Sequence, residues 1–164
     1  RDVERSRGLG DVYKRQLCGS GEMEEEIRAY AAQDPRIRFF GFLPHEEAVQ
    51  LQKQATVLVN PRTNQGEYTR YSFPSKTMEY MASGRPVMMF RLDGIPGEYD
   101  PFLTYIPEES AASIRDTVES LRRLSPSELD EMGARGREFV LKNKNRNVQM
   151  RRVLDFIHKE QSNA

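Results

Sequence analysis

A helix that begins near Pro74 carries a lysine in its first turn and a glutamate one turn further on. The sequence FPSKTMEY places Lys76 and Glu79 three residues apart, on one helical face. A helix N-terminus favours anions, so a lysine there is mildly unfavourable unless it neutralises a bound negative group. A diphosphate would supply that charge and would accept hydrogen bonds from the first-turn amides near Ser75. The pattern therefore suits a phosphate-bearing ligand at the helix start.

Glu79 suits a second part of the same ligand. A carboxylate only accepts hydrogen bonds, so one such group can hold both hydroxyls of a ribose diol. The alternative is a surface Lys–Glu pair that stabilises the helix by roughly a few tenths of a kcal/mol. The spacing of Lys76 and Glu79 fits both readings.

Short apolar runs alternate with helical patterns along the chain, as in βαβ units with a parallel sheet. The runs typical of strands are residues 37–40, 56–59, 86–90 and 103–106, and the helical patterns between them are residues 22–32, 45–55 and 74–83. Within 45–55, the spacing of Ala48, Leu51 and Ala55 predicts one buried stripe. The sequence therefore predicts an α/β fold.

The tail of the chain has helical patterns throughout. One helix is predicted from Ser110 and another after Ser125 and Pro126. The last carries an apolar stripe of Met150, Val153, Leu154 and Ile157. A C-terminal helical run therefore follows the predicted parallel sheet.

Open parallel sheets bind ligands beyond the carboxyl ends of their strands. Here those ends lead into residues 19–22, 41–45, 60–73 and 91–97, which are rich in Gly, Pro and polar side chains. Gly19 and Gly21 lie in the sequence GSGEME, but Glu24 stands where a dinucleotide fingerprint needs a third glycine. Backbone contact with a ligand and a tight turn that requires glycine are both open readings of this segment.

Composition excludes several classes of protein. Lys plus Arg and Asp plus Glu number 25 each in 164 residues, so no overall field favours a nucleic-acid partner. No apolar run approaches the roughly 20 residues of a membrane span. A single cysteine, Cys18, excludes an internal disulfide and fits a reducing compartment. We therefore expect a cytoplasmic domain.

The first 16 residues, RDVERSRGLGDVYKRQ, lack a periodic apolar pattern and end in a sequence typical of a translated library adapter. A natural disordered arm is the alternative. We expect residues 1–16 to be non-native or disordered and residues 17–164 to form the domain, truncated at its N-terminus.

The stretch FPSKTMEYMASGRPV resembles the nucleotide-sugar-binding signature of glycosyltransferases of the family 4 type. Four other stretches occur along the chain in the order of that family's C-terminal, donor-binding half: GSGEMEEEI, DPRIRFFGFLP, ATVLVNPR and DGIPGEY. The resemblance implies the C-terminal half of a GT-B fold, which pairs two Rossmann-like domains. It also implies a role in bacterial-type polysaccharide or glycan biosynthesis.

The same resemblance assigns roles to individual residues. Glu79 would hold the donor ribose, and Phe40 and Gly41 would lie by the base. The residues that would face the diphosphate are Ser72, Phe73, Pro74, Ser75 and Lys76. Gly94 lies in a turn similar to the family's glycine-rich contact with the donor, and an ordinary turn is the equal alternative.

The sequence departs from the family at two places. Many members have a second glutamate eight residues before the ribose glutamate, where this chain has Tyr71, and Glu67 is the candidate substitute. Members of the family usually have an Arg and a Lys for the diphosphate on elements that would precede Leu17. Their acceptor-binding domain would also precede Leu17. Arg62 and Arg70 are candidates for phosphate or sugar contacts, with solvated surface as the alternative.

The sequence thus predicts the donor-binding half of a retaining glycosyltransferase that moves a sugar from a nucleoside-diphosphate sugar to an acceptor hydroxyl. Lys76 and Glu67 are the catalytic candidates. No cofactor and no protein-bound metal are expected, since no Cys/His cluster has ligand spacing. The acceptor (a glycan, a lipid-linked sugar or a small molecule) would bind the missing domain, which leaves a peripheral membrane contact open. The isolated chain is expected to be inactive.

Two other functions stay open. A nucleotide-sugar epimerase of the same two-domain fold would need no acceptor. A non-catalytic nucleotide- or partner-binding module is favoured slightly by Tyr71 in place of a glutamate.

Overall fold

The computed structural model describes residues 14–65 and 71–162. The chain forms two compact units, Arg1–Val49 and Gln50–Ala164. The first unit contains strand β1 (Arg15–Leu17), helix α1 (Glu24–Gln33) and strand β2 (Ile37–Phe39). The strands pair in parallel, with Leu17 opposite Phe39, so this unit is a small βαβ arrangement. Helix α2 (His45–Gln54) runs across the boundary between the units.

The second unit is built around a three-stranded parallel sheet. Its strands are β3 (Leu58–Asn60), β4 (Val87–Phe90) and β5 (Leu103–Ile106), in the order β3–β4–β5. Its helices are α3 (Ser75–Ala82), a 3₁₀ segment (Gly97–Phe102), α4 (Ala111–Arg122), α5 (Pro126–Asn143) and α6 (Arg146–Ser162). The prediction of an α/β, Rossmann-like fold with flanking helices and a helical tail is confirmed.

The central strand β4 divides the core into two layers, because successive side chains of a strand point to opposite faces. Val87 and Met89 pack with Met81 of α3 on one face. Met88 and Phe90 pack on the other face, in the cluster that contains Leu121 of α4. All four residues of β4 are buried, as expected for a parallel strand covered on both sides.

Helices α3 and α5 approach each other closely where α3 ends. Gly84 follows α3 with φ +80°, a left-handed conformation that favours glycine. A methyl group at Gly133 of α5 would lie 2.1 Å from the Gly84 carbonyl oxygen. Gly133 therefore permits backbone contact between the two elements, which fixes α3 on the core.

Element limits differ from the sequence predictions at several places. Strand β3 begins at Leu58 rather than residue 56, because its pairing with β4 starts where Leu58 lies opposite Val87. Strand β1 includes Arg15 and Gln16, and the origin of residues 1–16 stays a prediction. Helix α2 ends at Gln54, one residue before the predicted limit. In the predicted stripe, Ala48 and Leu51 of α2 and the following Ala55 are only half-buried, and the buried side chain is a glutamine discussed below.

The apolar stripe predicted on α6 is exposed in the structure. Its members are Met150, Val153, Leu154 and Ile157. Among the described residues, no helix has the length and apolar character needed to cross a bilayer.

Candidate functional site

Helix α3 begins without a side-chain cap. Pro74 occupies the N-cap with extended backbone (ψ 110°) and has no side-chain acceptor for the first-turn amides. The prediction that Pro74 would be the first helical residue is therefore wrong by one position, because an extended ψ excludes it from the helix. Ser75 and Lys76, the first two residues of α3, are exposed. The start of the helix is therefore open to an external hydrogen-bond acceptor.

Lys76 and Glu79 meet on one face of α3, as the spacing predicts. Lys76 Nζ lies 3.2 Å from Glu79 Oε1 and 3.3 Å from Oε2. The lysine side chain is 59% exposed and the glutamate 29% exposed. The cation is therefore accessible, while the carboxylate is held closer to the body of the unit.

Gln52 of α2 forms a second contact with the Glu79 carboxylate. Its Nε2 donates a hydrogen bond to Glu79 Oε1 at 2.5 Å. Sequence reasoning missed this residue. A signal was present, because Gln52 interrupts the apolar stripe of Ala48, Leu51 and Ala55 at the buried position.

The segment after β3 contacts the start of α3 at two points. Asn60 Nδ2 lies 3.5 Å from Oγ1 of Thr77, which is fully buried. Arg62 Nη2 donates to Ser72 Oγ at 2.9 Å. Arg62 therefore supports a predicted diphosphate-facing residue in this structure, and a direct phosphate contact by Arg62 stays a prediction.

Asn64 joins the segment after β3 to the turn after β4. Its Nδ2 donates to the Arg91 carbonyl at 3.1 Å, and its Oδ1 accepts from the Asp93 amide at 3.1 Å. Gly94, a predicted donor contact, is the next residue of this turn. Asn64 could not be identified from the sequence, because a single asparagine in a polar loop has no distinguishing pattern.

Charged groups also meet where β4 and β5 end. Asp100 pairs with Arg91 and accepts a hydrogen bond from the Tyr105 hydroxyl at 2.7 Å. This hydrogen bond holds the pKa of Asp100 below its usual range, and the Arg91 charge lowers it further. Burial raises the pKa of Tyr105 to about 12, and the hydrogen bond to Asp100 adds to that rise. These contacts join the residue after β4 to the 3₁₀ segment and to β5.

In the first unit, the structure brings together three residues predicted to contact the donor. The Gly19 amide donates to the Gly41 carbonyl at 2.8 Å, and the Phe40 amide donates to Leu17. Gly19 (φ 136°) and Gly41 (φ 67°) both require left-handed backbone. Gly21 has open space around it. Gly19 therefore needs glycine for its backbone conformation, whereas a ligand contact by Gly19 or Gly21 stays a prediction.

The remaining predicted residues divide into three groups. Glu67 and Arg70 lie outside the described residues. Tyr71 is 85% exposed, beside the start of α3. The Phe73 ring instead packs against the core, with its centroid 5.0 Å from that of Tyr99.

Within residues 14–65 and 71–162, no three His, Cys, Asp or Glu side chains are arranged to hold a metal ion. The expected absence of a protein-bound metal stays a prediction.

Comparison with known proteins shows that this chain is similar to glycosyltransferases. The family model described as glycosyl transferases group 1 matches residues 6–123, which include every described element from β1 to α4. An Escherichia coli (strain K12) protein, provisionally named colanic acid biosynthesis glycosyltransferase WcaL, is 26% identical over 153 residues. That alignment covers 90% of this chain and 38% of the relative, so this chain spans well under half the length of that protein.

Proposed function

Since this chain belongs to the group 1 glycosyl transferases, a family whose model matches residues 6–123, we propose that it binds the nucleoside-diphosphate-sugar donor of a sugar transfer. The acceptor would be a hydroxyl group, and the anomeric configuration would be retained. The observation that carries the proposal is the cluster of Lys76, Glu79 and Gln52 at the uncapped start of α3.

The cluster offers complementary groups to the two parts of a nucleoside diphosphate. The amides at the start of α3 and the exposed Lys76 ammonium suit the diphosphate. The Glu79 carboxylate, one turn deeper, suits the ribose hydroxyls because it only accepts hydrogen bonds. Lys76 and Glu79 neutralise each other in the structure, and a diphosphate would compete for Lys76.

Catalysis would consist of positioning the donor and stabilising its leaving group. Negative charge develops on the diphosphate as the sugar departs, and Lys76 together with the helix amides would stabilise it. Glu67 is proposed to act near the donor sugar, on the resemblance described above. Donor contacts by Gly19, Phe40 and Gly41 stay predictions from the sequence.

The rest of the reaction would require groups outside this chain. The alignment covers 38% of the E. coli relative, and we propose that the acceptor site lies in a part of the intact protein outside this alignment. We propose a GT-B architecture of the family 4 type for the intact protein, with a glycan or lipid-linked acceptor. The intact protein is proposed to act in the cytoplasm, with peripheral contact to the membrane if the acceptor is lipid-linked.

The test is nucleotide binding by the intact protein and by Glu79→Ala. UDP, GDP and ADP are titrated by calorimetry, each also as its 2′,3′-dideoxy form. We expect Glu79→Ala to weaken the best ribonucleotide roughly tenfold or more, because hydrogen bonds to the charged carboxylate are lost. The dideoxy form should bind Glu79→Ala at least as tightly as native protein, because Lys76 is then released from its ion pair with Glu79.

A matched control is Glu138→Ala, which breaks an exposed Lys142–Glu138 pair on α5. It should leave the affinity unchanged. Equal affinity of native protein and Glu79→Ala for the ribonucleotide would contradict the ribose assignment. Release of nucleoside diphosphate from the matching donor sugar only when acceptor is added would separate a transferase from an epimerase or a binding module.

A further inference from the structure

Gln52 occupies a position where α2 needs an apolar side chain. Ala48, Leu51 and Ala55 lie on the same stripe, yet they are half-buried whereas Gln52 is 9% exposed. A buried polar side chain lowers stability unless its hydrogen-bonding atoms find partners. The presence of a glutamine here therefore needs a reason other than packing.

The carboxamide of Gln52 is only half satisfied. Its Nε2 donates to Glu79 Oε1 at 2.5 Å, while its buried Oε1 has no hydrogen-bond partner among the described residues. Reversing the amide would place two acceptor oxygens against each other, because an ionised carboxylate cannot donate. The Glu79 carboxylate thus sets the orientation of the amide. In this orientation the buried Gln52 Oε1 has no partner among the described residues, which lowers the stability of the fold.

We infer that Gln52 is a positioning residue for Glu79, an inference that rests on the proposed function. Lys76 Nζ lies 3.2 Å from Glu79 Oε1, the same oxygen that Gln52 contacts. If a diphosphate draws Lys76 away, Gln52 still holds the carboxylate. The ribose then meets a carboxylate that is already oriented, so less conformational freedom is lost on binding.

The experiment is a double-mutant cycle in the intact protein. Native protein, Gln52→Met, Glu79→Ala and the double variant are titrated with whichever of UDP, GDP or ADP native protein binds best. Met has the length of Gln without its polar atoms, so we expect Gln52→Met to bind roughly tenfold more weakly. Its Tm should equal or exceed that of native protein, since the unpartnered oxygen is gone. In the Glu79→Ala background, Gln52→Met should cause no further loss.

The cycle separates the inference from the proposed function. Native affinity in Gln52→Met, with weak binding by Glu79→Ala, overturns the inference and leaves the proposed function in place. Equal losses in both backgrounds also overturn the inference, because Gln52 would then not act through Glu79. Native affinity in Glu79→Ala overturns the ribose assignment and the inference together, whereas failure of native protein to bind UDP, GDP or ADP overturns the proposed function.

A second variant keeps the test valid if Gln52→Met does not fold. Gln52→Glu preserves the size of the side chain and replaces the donor by a second acceptor facing Glu79. We expect it to weaken nucleotide binding more than Gln52→Met does. Native affinity in Gln52→Glu would overturn the inference.

Discussion

Lys76 and Glu79 form an ion pair across one turn of α3, with Nζ 3.2 Å from Oε1. An ion pair whose lysine is largely exposed contributes little to stability. Its place at an uncapped helix start, beside a buried glutamine on the same carboxylate, distinguishes it from an ordinary surface pair. The lysine is therefore the group whose removal should affect phosphate binding most directly.

Replacement of the lysine should weaken binding through the phosphates alone. In Lys76→Gln we expect roughly tenfold weaker binding of the preferred nucleoside diphosphate, because a charged donor is lost. The affinity should also depend less on salt than in native protein. Calorimetry at two salt concentrations measures both effects. Lys142→Gln on α5 is the matched control. An equal loss of affinity for the nucleoside without phosphates would show that Lys76 does not act on the diphosphate.

The hydrogen bond to Asn64 should protect the Asp93 amide, in the turn before Gly94, against hydrogen exchange. The Asp93 amide donates to Asn64 Oδ1, whereas the Ile95 amide donates to the Leu92 carbonyl within the turn. In Asn64→Ala we expect hydrogen exchange at Asp93 to accelerate by about three- to tenfold, the equivalent of one ordinary hydrogen bond. Exchange at Ile95 is the internal control, and equal acceleration at both amides would contradict a specific bridge.

Two glycines of α5 should respond to the same substitution with opposite sign. A methyl group at Gly133 would meet the Gly84 carbonyl oxygen at 2.1 Å, so Gly133→Ala should lower the free energy of unfolding by about 1–3 kcal/mol or more. At Gly136 the nearest atom lies at 3.7 Å, and Gly136→Ala should raise it by about 0.5–1 kcal/mol through helix propensity. Urea unfolding measures both, and a stable Gly133→Ala would contradict the close approach.

Tyr105 should make the protein less stable at alkaline pH. Burial and the hydrogen bond to Asp100 raise its pKa from 10.0 to about 12 in the folded state. The contribution of Tyr105 to the free energy of unfolding is therefore complete below pH 10 and is lost as the pH rises toward about 12. In Tyr105→Phe, the fall in unfolding free energy over this range should be smaller. It should not vanish, because burial also raises the pKa of Tyr99.

Urea titrations at several pH values between 8 and 12 measure this dependence. Tyr30→Phe, at an exposed position on α1, is the control and should behave as native protein does. The same alkaline loss in Tyr105→Phe and native protein would contradict the assignment.

The sequence predicted the features that depend on residues close together in the chain. The spacing of Lys76 and Glu79 predicted their ion pair, because a helix alone brings residues three apart together. The apolar runs predicted β5 to the residue and β4 to within one residue.

The contacts that the sequence did not reveal join distant segments. Gln52 and Glu79 are 27 residues apart, and Asn64 and Asp93 are 29 apart. Both contacts depend on how helices and loops pack around the sheet, which a helical or strand period does not specify. Gln52 was detectable as a polar residue in an apolar stripe, whereas Asn64 was not.

Methionine oxidation can report the unfolding of the second unit, because two methionines lie in its core and others are exposed. Met88 and Met89 have no exposed surface, whereas Met23 and Met150 are more than half exposed. Peroxide should convert the exposed thioethers to sulfoxides at once, and the two in β4 only when the sheet opens. The oxidation of adjacent methionines on opposite faces of one strand then reports whether both layers of the core open together. Peptide mass spectrometry at increasing urea concentrations would follow that opening without any added label.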